Sequence, residues 1–115
     1  MITLGVDAHK GVHVAGALNR AGQEVARWRG RNSPNGWQAL GAWAAALAGD
    51  RQWGIEGAWK YGRGLAQHLV AAGEAVHEVN PRWTAAGRRR ARRPGKSDAS
   101  AAHAVALLVW REAGT

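Results

Sequence analysis

Residues 2–30 read ITLGVDAHKGVHVAGALNRAGQEVARWRG, and this stretch decides the fold. Ile2 to Val6 is a short apolar run, long enough for one buried strand. After Asp7-Ala8-His9-Lys10, the residues Val12, Val14, Gly16 and Leu18 alternate with polar or small ones. Asn19-Arg20-Ala21-Gly22 supplies a turn, and Glu24, Ala26, Trp28 and Gly30 then alternate with Val25, Arg27 and Arg29. Two period-2 segments about a Gly-containing loop are the signature of a hairpin. The chain is therefore expected to open with a three-stranded meander.

Downstream the periodicity changes. Ser33 as N-cap and Pro34 at the first helical position open a helix, along which Trp37, Leu40, Trp43, Ala44 and Leu47 recur at spacings of three and four. Trp37 and Trp43 on that face are expected in the core. Gly49-Asp50 ends the helix, and Gln52 to Glu56 forms a fourth strand. A second helix is expected from about Trp59, with Leu65, Leu69 and Val70 inward and Gly73 as its stop. Ala75, Val76 and Val79 make a fifth strand. A last helix starts near Ser97 and carries Ala102, Val105, Ala106, Leu108 and Val109. Strands joined through single helices lie parallel by right-handed crossovers, whereas the opening hairpin is antiparallel. The expected fold class is α/β, a mixed five-stranded sheet flanked by helices, in the element order of the ribonuclease H-like fold. A fold does not give a function, which has to be argued from a site.

The chain has 115 residues, the size of one domain, and 46% of them are hydrophobic, so it can bury a core. It contains no cysteine, which removes disulfide and thiolate-zinc chemistry. No apolar run approaches the ~20 residues of a membrane span. The N-terminus lacks the features of a secretory signal, and a bacterial-style cytoplasm is the expected location. The net charge is +8, and its distribution is uneven. Residues 81–96 hold Arg82, Arg88, Arg89, Arg90, Arg92, Arg93 and Lys96 with no acid, while the remainder carries a net +1. With Pro81, Gly87, Pro94 and Gly95 in it, this segment is expected to be a basic loop. Clustered arginine is the electrostatic footprint of a phosphate-backbone partner, although a solvated basic loop has the same composition.

Three carboxylates stand out. Asp7 follows the first strand, and Glu56 ends the fourth within Gly54-Ile55-Glu56-Gly57. If those strands are parallel neighbours, both emerge at the carboxyl edge of the sheet, where open α/β sheets place their sites. Asp98 stands in the first turn of the last helix. Acids brought together from three distant segments repel one another unless cations neutralise them, and hard oxygen donors suit Mg2+ or Mn2+. Such ions activate a nucleophile and stabilise a leaving oxygen in phosphodiester chemistry. Taken singly, Asp98 also reads as a residue at the positive end of a helix dipole, and Asp7 as a turn residue.

The motifs around these acids resemble a known family. Val6-Asp7-Ala8-His9-Lys10 is similar to its first motif, a strand ending Asp-x-His-Lys. Gly54-Ile55-Glu56-Gly57-Ala58-Trp59-Lys60-Tyr61-Gly62 resembles its second, Glu-Gly-Thr-x-x-Tyr-Gly, and Glu78-Val79-Asn80-Pro81 with the later Gly95-Lys96-Ser97-Asp98 resembles its third. The family is that of the DEDD-type insertion-sequence transposases with a RuvC-like N-terminal domain, and the similarity runs across essentially the whole chain. The resemblance implies a magnesium-dependent DNA transposase or recombinase that works with a guide RNA and self-associates. Asp7, Glu56 and Asp98 match the first three acids of that family as catalytic and metal-binding residues. The fourth acid belongs three residues after Asp98, where this chain has Ala101. His103 is the nearest substitute, but a five-residue offset points it round the helix. Family members also carry a C-terminal domain with a catalytic serine, a role that Ser33, Ser97 and Ser100 do not match. The expectation is an RuvC-like N-terminal domain spanning 1–115, truncated or isolated, that does not exchange strands by itself.

Around these motifs, Trp59 and Trp83 are candidates for base stacking and Lys60 for a phosphate contact, against plainer readings as surface residues. His9 is read either as a metal or phosphate contact or as a local hydrogen-bonding group, and His13, His68 and His77 as ordinary surface or strand residues. Three readings compete: a metal-dependent transposase domain, a catalytically inactive nucleic-acid-binding remnant of one, and an actin-like or sugar-kinase-like half domain. The last needs a phosphate-binding glycine loop after the first strand, where Gly11 alone is poor support.

Overall fold

The computed structural model describes residues 1–47, 49–80 and 98–113; of residues 98, 99 and 113 it describes the backbone. The described strands are β1 (Ile2–Ala8), β2 (Val12–Leu18), β3 (Glu24–Arg31), β4 (Arg51–Glu56) and β5 (Val76–Val79). The described helices are α1 (Pro34–Ala45), α2 (Arg63–Ala71) and α3 (Asp98–Ala113). The sheet order is β3-β2-β1-β4-β5. β1 pairs antiparallel with β2, and β2 with β3, whereas β1 with β4 and β4 with β5 are parallel. This is the mixed sheet that the alternation pattern predicts. None of the described helices is long and apolar enough to cross a membrane.

The two faces of the sheet are built differently. Leu4, Val6, Ala15, Ala17, Trp53 and Ile55 point to the face covered by α1 and α2, where Leu40, Ala44, Leu65 and Leu69 complete a fully buried apolar cluster. Trp37, Trp43 and Leu47 pack against its rim, so the helical stripe read from the sequence faces the core as expected. Ser33 caps α1 by accepting from the Gly36 amide at 3.2 Å, an interaction worth about 1 kcal/mol.

The opposite face carries α3 on a row of glycines. Gly16, Gly5 and Gly54 are direct cross-strand partners on β2, β1 and β4. A Cβ on Gly5 would stand 2.2 Å from the Ala106 amide nitrogen and 2.5 Å from the Ala102 carbonyl oxygen. A Cβ on Gly54 would stand 2.3 Å from Val109 Cγ2. The glycines form a trough, and at Gly5 the helix backbone rests directly on the strand. Val105 and Val109 close over Val79 beside it.

Three sequence expectations need correction. α2 begins at Arg63 rather than near Trp59, because Gly57 adopts φ +79, a left-handed geometry that favours glycine. Its carbonyl then accepts from the amides of Lys60 and Gly62, which makes 57–62 a folded turn. Lys60 is thus an exposed turn residue, not part of a helix face. Val70, expected inward, is 60% exposed. It follows the inward Leu69 directly, and one residue turns a helix by about 100°, away from the Leu65–Leu69 stripe. His13, read as an ordinary surface or strand residue, is a strand residue of β2 and is fully buried rather than on the surface.

His13 lacks a hydrogen-bond partner of good geometry at either ring nitrogen. Burial pushes its pKa below the ordinary imidazole value, only partly offset by polar groups of Val12 and Asn32, and His9 nearby lowers it further. The unfolded chain therefore binds the proton more tightly than the folded one. Stability is complete above the unfolded value of about 6.5 and falls as the pH drops below it. Urea titrations between neutral and mildly acidic pH are expected to show this loss in the parent and a flatter profile in His13→Leu. A Gly5→Ala substitution is expected to cost about 3 kcal/mol or more, since backbone atoms of α3 have to move. Gly41→Ala, in open space on α1, is the control and is expected to gain up to about 1 kcal/mol by raising helix propensity. Thermal unfolding followed by circular dichroism reads both.

Candidate active site and nucleic-acid interface

Asp7 and Glu56 are cross-strand partners in the parallel β1–β4 pair. They occupy the ends of adjacent strands, about 4.8 Å apart. Each follows a row glycine by two residues, so both side chains rise on the α3 face. Both are buried, at 6% and 8% exposure. The expectation that these two acids meet at the carboxyl edge of the sheet is what the geometry shows.

The direction of α3 decides which end of that helix joins them. The ring of Trp110 lies over Gly22, and its Nε1 donates to the Arg20 carbonyl at 3.1 Å. Both contacts are at the β2–β3 turn. That turn adjoins Leu18, the partner of Thr3 near the start of β1. The C-terminus of α3 thus lies toward the start of β1, and its first turn lies toward the carboxyl edge. Asp98, in that first turn, is about 6 Å along the axis from Ala102, which rests on Gly5. Asp7 is about 6.6 Å up the strand from the same glycine. Ala101, at the position where the fourth acid is expected, is buried. The His103 backbone lies near Gly16, over β2, away from the β1–β4 acids. Arg82, Arg88, Arg89, Arg90, Arg92, Arg93, Lys96 and Trp83 lie outside the described residues, as does the side chain of Asp98.

His9 donates from Nε2 to Asp7 Oδ2 at 2.6 Å. This is the local hydrogen-bonding role, and it holds the carboxylate in one orientation. Among the described residues no group of three His, Asp or Glu side chains is arranged to hold a metal ion by itself. Trp59 is 79% exposed and Tyr61 46%; both belong to the turn after Glu56.

Asn32, which directly precedes the Ser33 cap of α1, ties this edge together. Its Nδ2 donates to the carbonyls of Lys10 and Tyr61, both at 3.1 Å, and more weakly to that of His9 at 3.4 Å. Its Oδ1 accepts from Trp37 Nε1 at 2.9 Å. One amide thus joins the turn after Asp7, the turn after Glu56 and helix α1. No spacing rule reveals such a residue, because its partners are backbone carbonyls of distant turns.

At the other end of β4, Arg51 forms a two-pronged pair with Glu74, and Trp53 Nε1 donates to the same carboxylate at 2.7 Å. The Arg51 guanidinium holds the Glu74 carboxyl below its ordinary value. A shallow depression lined by Asp50, Arg51, Gly73 and Glu74 lies at this amino edge, remote from the acids. This pair is structural.

Solved structures place the architecture in a class. Thermus thermophilus RuvC in complex with a Holliday junction substrate superposes with a TM-score of 0.70 at 14% identity, covering 99% of this chain and 96% of that one. A second T. thermophilus RuvC structure gives 0.62 at 17% identity, with 100% and 98% covered. The fold is ribonuclease H-like, of the RuvC kind. Comparison with curated protein sequences finds no significant match. The sequence profile of the DEDD transposases of IS110 type, described as "Transposase", matches residues 4–115, and the chain belongs to that family.

Removing the amide of Asn32 in Asn32→Ala leaves several carbonyls and the Trp37 indole without their partner. The expected cost is about 1–2 kcal/mol in urea unfolding, because water can replace the amide at the exposed carbonyls. Amide hydrogen exchange is expected to quicken in 57–62 and around Lys10 while the β1–β4 pairing keeps its protection.

Proposed function

We propose that this chain is the RuvC-like catalytic domain of a DNA transposase, in which Asp7, Glu56 and Asp98 hold Mg2+ or Mn2+ at the carboxyl edge of the sheet. The observation that carries this reading is the in-register burial of Asp7 and Glu56 side by side, with the first turn of α3 directed at the same edge. Two buried carboxylates one strand spacing apart favour a cation between them. Their oxygens are the hard donors that magnesium and manganese take. The described side chains supply two donors, and the third role falls to Asp98. A bound divalent ion would supply activation of a water or hydroxyl nucleophile and neutralisation of charge on a phosphodiester. His9 orients Asp7 by its hydrogen bond, and Asn32 keeps the two flanking turns at a constant separation. Membership of the transposase family supports DNA as the substrate, as does the Holliday junction bound by the RuvC neighbour. In this reading the arginines of 82–96 grip nucleic acid, and a guide RNA of the element is a partner.

A second reading is favoured by one residue. Ala101 stands where the family has its fourth acid, and alanine does not ligate metal. On that reading the domain retains nucleic-acid binding without catalysis.

Calorimetric titration with MnCl2 and MgCl2 separates the two. Ala101→Asp is expected to bind manganese at least about tenfold more tightly than the parent, and Glu56→Gln at least about tenfold more weakly, with circular dichroism spectra unchanged. Absence of binding in both the parent and Ala101→Asp would remove the metal site and leave the nucleic-acid-binding remnant.

A further inference from the structure

β3 is the edge strand of the sheet, and its sequence Glu24-Val25-Ala26-Arg27-Trp28-Arg29-Gly30-Arg31 divides cleanly between two faces. Ala26 and Trp28 pack against the apolar core under α1 and α2. Arg27, Arg29 and Arg31 alternate with them and are exposed. The register fixes their face. Arg27 pairs with Gly16, Arg29 with Val14 and Arg31 with Val12. Gly16 is the glycine under α3, and Val14 is the partner of Asp7. One cross-strand row therefore runs Arg29, Val14, Asp7, Glu56. The three arginines stand on the same face as the two acids, two strands from Asp7 and three from Glu56, and they are exposed.

We infer that this arginine stripe is a track for the phosphodiester backbone of a DNA strand, leading along β3 to the Asp7–Glu56 edge. Side chains two residues apart on a strand repeat at about 6.8 Å, an interval of the order of that between consecutive phosphates in a nucleic-acid strand. Guanidinium groups suit phosphate because their planar forks donate two hydrogen bonds at once. Arg27 is partly engaged, donating from Nε and Nη2 to the Glu24 carboxylate at 2.9 Å each. That pair holds the stripe's far end in place, and Arg29 and Arg31 lie nearer the acids. Among the described residues of the sheet, the acids on this face are Glu24, Asp7 and Glu56. Beyond the Arg27–Glu24 pair the charges are sorted, with Arg29 and Arg31 on the edge strand and Asp7 and Glu56 on the inner strands β1 and β4. A backbone lying on the arginines brings a phosphate toward the acids, where their own charge would repel it. Arginine on an edge strand also discourages strand pairing between molecules, but that role involves no sensitivity of DNA binding to these residues.

The inference rests on the reading of the Asp7–Glu56 edge as the place of phosphodiester chemistry, and the test keeps the two apart. Binding of a fluorescein-labelled DNA duplex is followed by anisotropy over a series of sodium chloride concentrations, in EDTA. The parent is compared with Arg29→Gln/Arg31→Gln and with Arg63→Gln/Arg111→Gln, which removes the same charge from exposed helix positions. Each lost phosphate contact lowers the salt slope by about 0.9. The stripe variant is expected to bind more weakly, with a slope shallower by about 2, and the helix variant to retain the parent's slope. Equal losses in both variants, or none in the stripe variant, would overturn the track. A loss seen with an RNA of the same sequence and not with DNA would also overturn it. Manganese calorimetry on the folded stripe variant reports separately on the acids: retained binding with unchanged DNA affinity discards the track and leaves the metal site standing.

Discussion

The backbone-to-backbone contact between α3 and the middle of the sheet governs the rest of the structure. Gly5 removes the side chain that would hold the helix at the usual distance from the sheet, Gly54 makes room for the Val109 side chain, and Gly16 lies under the His103 backbone. With the trough in place, α3 is seated at Ala102 and Ala106, and its C-terminal end is pinned by Trp110 at the β2–β3 turn. The first turn of the helix then points to the edge where Asp7 and Glu56 end their strands. The glycines cost the sheet some conformational entropy and side-chain packing. Burial of small residues from α3, and of Val79, Val105 and Val109 beside them, offsets that cost.

The other face does the opposite work. It is filled with large apolar groups, and its buried cluster supplies most of the hydrophobic stabilisation, each fully buried Leu or Ile contributing about 1.5–3 kcal/mol. The acids are carried on the face that does least for the core. Asn32 bridges the two sides, because its Trp37 contact reaches into the apolar layer while its carbonyl contacts clamp the turns that follow Asp7 and Glu56. A rigid scaffold with short clamped turns at one edge is the arrangement on which enzymes place reacting groups.

Much of this was legible in the chain. The period-2 segments between Val12 and Gly30 specify antiparallel strands whichever way they pack, and the Leu40–Ala44 stripe specifies one helix face. Asp7 and Glu56 were legible because each ends an apolar run, which places it at a strand terminus. The errors arose where local signals compete. Val70 is apolar and adjacent to Leu69, but helix geometry turns it outward. The stretch from Trp59 reads as helix by composition, yet the left-handed Gly57 folds it into a turn before α2 can start. His13 alternates correctly on β2, but nothing in its neighbours along the chain shows that it is covered completely.

The sequence by itself determined the strand and helix order, the parallel and antiparallel pairings, and the candidacy of three acids, because hydrophobic periodicity and chain connectivity are local properties. Only the tertiary structure decided which residues became neighbours across that order. It made the glycines of three strands into one row, put Asp7 beside Glu56 and in line with Arg29, and gave Asn32 its partners. Register and helix seating depend on how side chains from distant segments fill common space, and no single segment carries that information.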